Sequence, residues 1–439
     1  MKKLLALCLL ACATVPAQQI PGATQLPGSP FFIKKTWIVG GVGNWDYLTM
    51  DSAARQLFIA HGRVVQVVDV DTGTLAGQVT GLREAHAIAL DDSGEFGYIS
   101  DGPAGQVKVF DRRTFQVVAS ISTGPSPRAI VMEPQSRLLF AICANPETEN
   151  PTTPQPSSQA HQHLNTAARF SQRTGNPSPV TDREIKSSVT VIDVQTREPL
   201  GEILMPGKLG FAQTDGNGEV FINIENRNQI ARLDAQAIAA LFRSQTSVAR
   251  STLPANSQSG PAQPSPATQP AIPPILDWSH ESRLPNSAES RLKIFALGPE
   301  CVDPRGLAVD SSHPRLFAAC NNMKMVVLNA ATGELVASLH TGSGTDAIGY
   351  DQGRGLIYIA NGDANGSLTI IRQDVTDTYA VIQDLPTRQR ARTLAVNPAR
   401  GEVYLVTDLM GVNLAQPGSI GTLQAVHVNG SFQVLVVGN

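Results

Sequence analysis

Short apolar runs, alternating or in blocks of about five, recur along most of the chain and are cut by Asp, Asn, Ser, Gly and Pro, which is the pattern of strands joined by tight turns. The stretch Asp303–Gly342 shows it most plainly. It reads as four strands in sequence: RGLAVD, RLFAACN, KMVVLNA and, after the Thr332-Gly333 turn, ELVASLHTG. One such unit has two sheet faces and cannot bury both alone, so it predicts copies of itself. A first copy runs from WDYLTMD to TLAGQVTG and a second from AHAIALDD to FQVVASISTG. A third starts at PRAIVMEP, is interrupted and resumes at SSVTVIDV; a fourth runs through GEVFINIENRNQIARLDA, is interrupted and closes with RLKIFALG. The sixth opens at TDAIGYD, and the seventh combines ARTLAVNPARGEVYLVTD with TLQAVHV and FQVLVVG as its outer strands.

The acid or amide that closes each first strand sets the period. Asp51, Asp91 and Glu133 are followed, after two insertions, by Asp310, Asp351 and Asn397, giving a repeat of roughly 40 to 45 residues with four strands each. That is a β-propeller: an all-β ring, here of seven four-stranded antiparallel blades, which leaves no long free edge. The short strand Thr36–Gly41 is expected to close the ring by joining the last blade. Two stretches, 145–186 and 244–290, are rich in Pro, Ser, Gln and their like and read as low-complexity loop insertions. By position the first links the second and third strands of the third blade, on the face of the channel mouth. The second links the third and fourth strands of the fourth blade.

Taken together, NWDYLTMD, LFIAHG, AHAIALD, VFINIENRNQI, DPRGLAVD, LFAACNN, ATGELVASL, IANGDANGSLTI and ARTLAVN resemble the YVTN-type (YncE-like) seven-bladed β-propeller family of secreted bacterial proteins, over nearly all of residues 36–439. The resemblance implies an extracytoplasmic propeller that serves as a binding or scaffold protein. It implies fold far more than function.

Composition fits a sheet protein and narrows the address. Of 439 residues, 42% are apolar and only 5% aromatic. Residues 1–17 carry two lysines, an apolar Leu4–Ala11 stretch and Val15-Pro16-Ala17, which reads as a secretory signal peptide. A lipid anchor on Cys12 is the alternative, and residues 18–35 read as a Pro/Gly/Gln tether. Without Lys2 and Lys3 the chain keeps 32 basic against 37 acidic residues and no basic run, so no nucleic-acid partner is expected. No later segment is apolar enough to span a membrane. Cys143, Cys301 and Cys320 remain in the mature chain. Cys301 and Cys320 lie at the same end of a four-stranded meander, so they are the candidate disulfide, with Cys143 a buried thiol.

Candidate chemistry gathers where the innermost strands begin, at the channel mouth. Those positions are Asp46, His86, Arg128, Leu209 or Gly210, Arg305, Asp346 and Arg392. The loops after the second strands add His61, Asp101, Asn145, Asn226, Asn321, Asn361 and Asp408. Polar groups converging on a concave mouth suit a small ligand or ion, while a water-filled funnel lined by paired charges needs no ligand at all. Asp46, His61 and His86, with His161 and His163 of the first insertion, form a conceivable Zn, Cu or Ni set, although no compact ligand spacing supports it. Arg128, Arg305 and Arg392 suit a carboxylate or phosphate instead. There is no G-x-S-x-G elbow, no catalytic cysteine pattern and no C-x-x-C-H haem site. The expectation is therefore a secreted, monomeric scaffold that binds a protein, glycan or small-molecule partner at its mouth, with no cofactor and no catalytic residues. The alternative is a metal-dependent or lactonase-like hydrolase using Asp46, His61 and His86.

Overall fold

The structure, a computed structural model, describes residues 30–144, 186–251, 273–279, 291–374, 377–413 and 424–439. Expectations for the leader, most of the tether, the first insertion, and Asn145, His161 and His163 lie outside the described residues. Within them the chain forms seven antiparallel blades, each built from four neighbouring strands. The innermost strands of blades 1 to 7 are Trp45–Asp51, Ala85–Leu90, Pro127–Glu133, Leu209–Thr214, Pro304–Asp310, Thr345–Asp351 and Leu394–Asn397.

Each blade buries both faces, and the core is divided accordingly. One apolar cluster packs blade 1 on blade 2, another blade 2 on blade 3, and so on around the ring. The last cluster joins Tyr404, Val406, Val434 and Val436 of blade 7 to Trp45, Leu57 and Ile59 of blade 1. The second strands are the most deeply placed, and Phe58, Phe140, Phe317, Tyr358 and Tyr404 in them are fully buried. This explains the block-like apolar runs: a strand sandwiched between two blades has no solvent face to alternate with.

Several of the acids that set the sequence period both cap the first hairpin of their blade and reach the neighbouring blade. The Asp51 carboxylate accepts the Ala54 N–H and pairs with Arg112 of blade 2. Glu133 accepts the Gln135 and Ser136 N–H groups and, from blade 4, the Gly218 N–H at 3.0 Å. Cys301 and Cys320 form a disulfide that ties the entry of blade 5 to the end of its second strand. Cys143 is a free, buried thiol whose pKa burial pushes up to about 12, so it stays protonated. Reduction, or a Cys301→Ser/Cys320→Ser exchange, is expected to lower unfolding free energy by about 3 kcal/mol on loop-entropy grounds. Urea denaturation with and without reductant checks this, and an unchanged midpoint refutes it.

Three expectations need correction. The closing strand is Phe32–Ile38 rather than Thr36–Gly41, and it forms the outermost strand of blade 7, antiparallel to Gln433–Gly438. TLQAVHV is not a blade strand: Gln424–His427 pairs with Met410–Asn413 in a separate hairpin. FQVLVVG takes the third position, because its run of buried residues fits between the second strand and the closing strand. The second insertion is not wholly loop. Ala235–Ser251 is a helix whose Ala235, Ile238, Ala239 and Phe242 lie at helical spacing and pack into the core between blades 3 and 4. Asp234 caps it by accepting the Ala237 N–H at 2.8 Å. Ile275–Asp277 then adds a fifth, parallel strand to blade 3, with Trp278 buried behind it.

Candidate functional site

The sequence-predicted residues fall into two groups once the mouth is assembled. The polar residues after the second strands serve the structure of their own blades, some through the backbone and some through neighbouring side chains. The Asp101 carboxylate accepts the N–H groups of Arg83 and Glu84, and the Asn226 side-chain oxygen accepts that of Lys208. Asn361 accepts from Thr345 and donates to Thr369. Asp101 and Asn226 each clamp the link that enters an innermost strand, while Asn361 ties the first residue of its innermost strand to the third strand of the same blade.

His61 belongs with these. Its ring is 2% exposed, lies 4.0 Å from the Phe432 ring, and has Gln66 Oε1 at 2.8 Å from Nδ1 and the Gly43 carbonyl at 3.2 Å from Nε2. Burial depresses its pKa. Both nitrogens are engaged, so His61 does not join Asp46 and His86 in a metal-binding set. Among the described residues no group of three or more His, Cys, Asp and Glu side chains is placed to hold a metal ion.

The entry residues of the innermost strands form the other group. The imidazole of His86 (blade 2) lies with Nδ1 2.9 Å from Asp46 Oδ2 (blade 1). Arg392 (blade 7) pairs with Asp346 (blade 6) at 3.2 Å. Arg305 (blade 5) contacts Asp303 at 2.5 Å and Glu225 at 3.4 Å, and Lys208 reaches the same Glu225 oxygen at 2.9 Å. Arg128 takes the position on blade 3. Arg392 with Asp346 and Arg305 with Glu225 thus bring opposite charges of neighbouring blades together, and His86 meets Asp46 across the seam of blades 1 and 2.

Glu225 was missed from the sequence, and Gly210 explains why it matters. Blade 4 enters its innermost strand with Gly210, which offers no side chain. A Cβ there would collide with the Glu225 carboxylate, so Glu225 occupies the place that a charged side chain fills in the other blades. Glu225 is 8% exposed, and burial raises its carboxyl pKa against the pull of Arg305 and Lys208. Burial opposes the charge on Arg305, but Glu225 and Asp303 outweigh it and raise its pKa.

Below the charges, half-buried Tyr47 of blade 1 meets Phe211 of blade 4, with ring centroids 5.1 Å apart. These blades stand on opposite sides of the ring, so the pair crosses the axis and floors the mouth. Burial raises the Tyr47 pKa well above the usual phenol range; Asp46, Asp346 and Glu225 raise it further and Arg392 opposes them. Its hydroxyl is a neutral donor at physiological pH. The mouth is therefore a cup with an aromatic floor and a charged wall, able to offer hydrogen bonds and ionic contacts of both signs.

Fold and site define the chain as a seven-bladed β-propeller with a floored, charged mouth. No family model matches it. A 111-residue stretch is 24% identical to the uncharacterised protein YncE of Salmonella typhimurium, covering 25% of this chain and 31% of that protein. The YncE of Salmonella typhi matches over the same length at the same identity. The chain thus matches less than a third of these relatives' length. In fold it is similar to the RRP9 WD40 repeats, with a TM-score of 0.56 at 7% identity over 91% of this chain and 96% of that one. It is likewise similar to Kuenenia stuttgartiensis hydrazine synthase, with a TM-score of 0.54 at 14% identity over 85% and 95%. These likenesses are of fold. Among the described residues no helix is long and apolar enough to cross a membrane.

Proposed function

We propose that the chain is an exported, YVTN-type propeller that acts as a binding scaffold, holding a partner or small ligand in the cup at its channel mouth. The observation that carries this reading is the Tyr47–Phe211 floor beneath a wall of Asp46, His86, Glu225, Arg305, Asp346 and Arg392. A floored cup presents a fixed surface, and its side chains are positioned by one another before any ligand arrives, which lowers the ordering cost of binding. The Cys301–Cys320 disulfide and the leader-like Met1–Ala17 support a place outside the cytoplasm. The YncE match is consistent with it.

The test places a photocrosslinking residue at Arg392 on the wall, and as a control at exposed Asn217 on the opposite face, in the chain expressed in its native host. A discrete adduct from the mouth position alone is expected. It should weaken at least tenfold on Arg305→Ala/Glu225→Ala, which removes the two wall residues that share one ion pair. Equal adducts from both positions, or none, would defeat the scaffold reading. If instead the purified chain turns over lactones or esters and His86→Ala abolishes turnover, the hydrolase alternative replaces it.

A further inference from the structure

The 439-residue sequence holds two Asn-x-Ser/Thr triplets in which x is not proline, Asn365-Gly366-Ser367 and Asn429-Gly430-Ser431. Such a triplet marks an amide acceptor for N-linked glycan when it stands on the surface of an exported chain. Both lie between the second and third strands of their blades, 6 and 7, and so on the mouth face of the ring.

A simpler account is turn chemistry, since Asn-Gly pairs are common where the backbone must take positive φ. The dihedrals remove it for the asparagines. In the first turn the positive φ belongs to Ala364 (50°) and Gly366 (75°), and in the second to Gly430 (75°). Neither Asn365 nor Asn429 is in the left-handed region. Gly366 is fixed by its conformation and by the Arg388 carbonyl, against which a Cβ would collide. Nothing comparable fixes Asn365. It is exposed, and its amide makes no hydrogen bond among the described residues. A large substituent on Asn365 therefore costs the fold no contact.

We propose that Asn365 is a glycosylation site on the mouth rim. Its side-chain Nδ2 takes C1 of a sugar from a polyprenyl-diphosphate-linked oligosaccharide. The C1–N bond forms as the C1–O bond to diphosphate breaks, the diphosphate leaves with the bonding pair, and the amide proton passes to a base of the transferase. Two differences favour Asn365 over Asn429. Exposed Asp363 stands two residues before it, a carboxylate that suits a basic transferase groove, where Asn429 has His427. Ser431 donates to the Val428 carbonyl at 2.6 Å and accepts the Leu409 N–H at 2.9 Å, whereas Ser367 only accepts from Asn361 at 3.1 Å. A glycan here would cover the rim over blades 6 and 7 and leave approach to the cup from blades 2 to 5.

The inference rests on the export reading, and one experiment separates the two. The full chain is recovered from the exported and cytoplasmic fractions of its native host, and its intact mass and peptide map are measured beside Asn365→Gln, Ser367→Ala, Ser367→Thr and Asn429→Gln. Wild type, Ser367→Thr and Asn429→Gln are expected in the exported fraction with a glycan on the Asn365 peptide. Asn365→Gln and Ser367→Ala are expected at the mass of the bare mature sequence. An exported wild type at bare mass overturns the glycan and leaves export standing, and a glycan on Asn429 alone overturns the choice of acceptor. A wild type found only in the cytoplasmic fraction overturns both.

Discussion

Removing residues 30–38 is expected to abolish the cooperative unfolding transition and leave a chain that aggregates on concentration. The strand Phe32–Ile38 is the fourth strand of blade 7 and, among the described residues, the one that pairs with the outer edge of Gln433–Gly438. Two anchors, Phe31 just before it and Trp37 within it, reach further. Phe31, 7% exposed, packs edge-on against Tyr358 of blade 6, while its N–H and carbonyl pair with the Gln383 side chain at 2.9 and 2.8 Å. Trp37 stacks on Tyr404 of blade 7 and lies over Gly73 of blade 1, where a Cβ would collide with the indole. One short strand therefore welds three blades at the point where the ring closes. Truncating a buried Phe or Trp costs about 3 to 5 kcal/mol, against a total stability of about 5 to 15. Loss of both anchors and of a full ladder exceeds what a domain can spare, and it uncovers an apolar edge strand. Size exclusion and urea unfolding of the truncated chain decide the matter. A monomer with a single transition near the parent midpoint would mean that three strands suffice for blade 7.

Much of this was legible because a propeller repeats its own signals. The blades follow from Asp51, Asp91, Glu133, Asp310, Asp351 and Asn397, whose spacing records the hairpins they cap. Legibility failed where a local pattern had a non-local partner. TLQAVHV looks as strand-like as FQVLVVG, and only the closing strand, some four hundred residues away in sequence, decides which of them enters the blade. The helix at Ala235–Ser251 was a different failure, since Asp234 and the spacing of Ala235, Ile238, Ala239 and Phe242 were there to be read and the neighbouring low-complexity composition masked them. At the mouth, strand entry positions were readable one blade at a time. Pairings across blades were not: Glu225 acts at the mouth because Gly210 is absent as a side chain, and His61 was drawn in by residue type alone although its ring is committed to Gln66 and Gly43.

Asp310→Ala should cost about 3 to 5 kcal/mol, because it strips a fully buried carboxylate from donors of two blades. Asp310 is 0% exposed and accepts from Ser312 N (3.0 Å) and Oγ (2.6 Å), His313 N (3.2 Å), Tyr350 OH (3.2 Å) and Gln373 Nε2 (3.0 Å), the last two from blade 6. Without it, Tyr350 and Gln373 keep only each other at the seam between blades 5 and 6. Burial alone would raise the Asp310 pKa, but the hydrogen bonds from Ser312, Gln373 and His313 outweigh it and the net shift is downward. A carboxyl whose folded pKa lies below its unfolded one stabilises the fold above the unfolded value, about 3.9 for Asp, and the contribution fades as pH falls through the folded value. The acid limb of a stability–pH curve should therefore be shallower in Asp310→Asn, which keeps the shape and removes the charge, while the neutral plateau of both variants drops. Parallel curves for wild type and Asp310→Asn would assign the acid limb to other carboxylates. A plateau lowered by less than about 1 kcal/mol in Asp310→Ala, the scale of one ordinary hydrogen bond, would reduce the periodic acids to turn formers with no part in holding blade to blade.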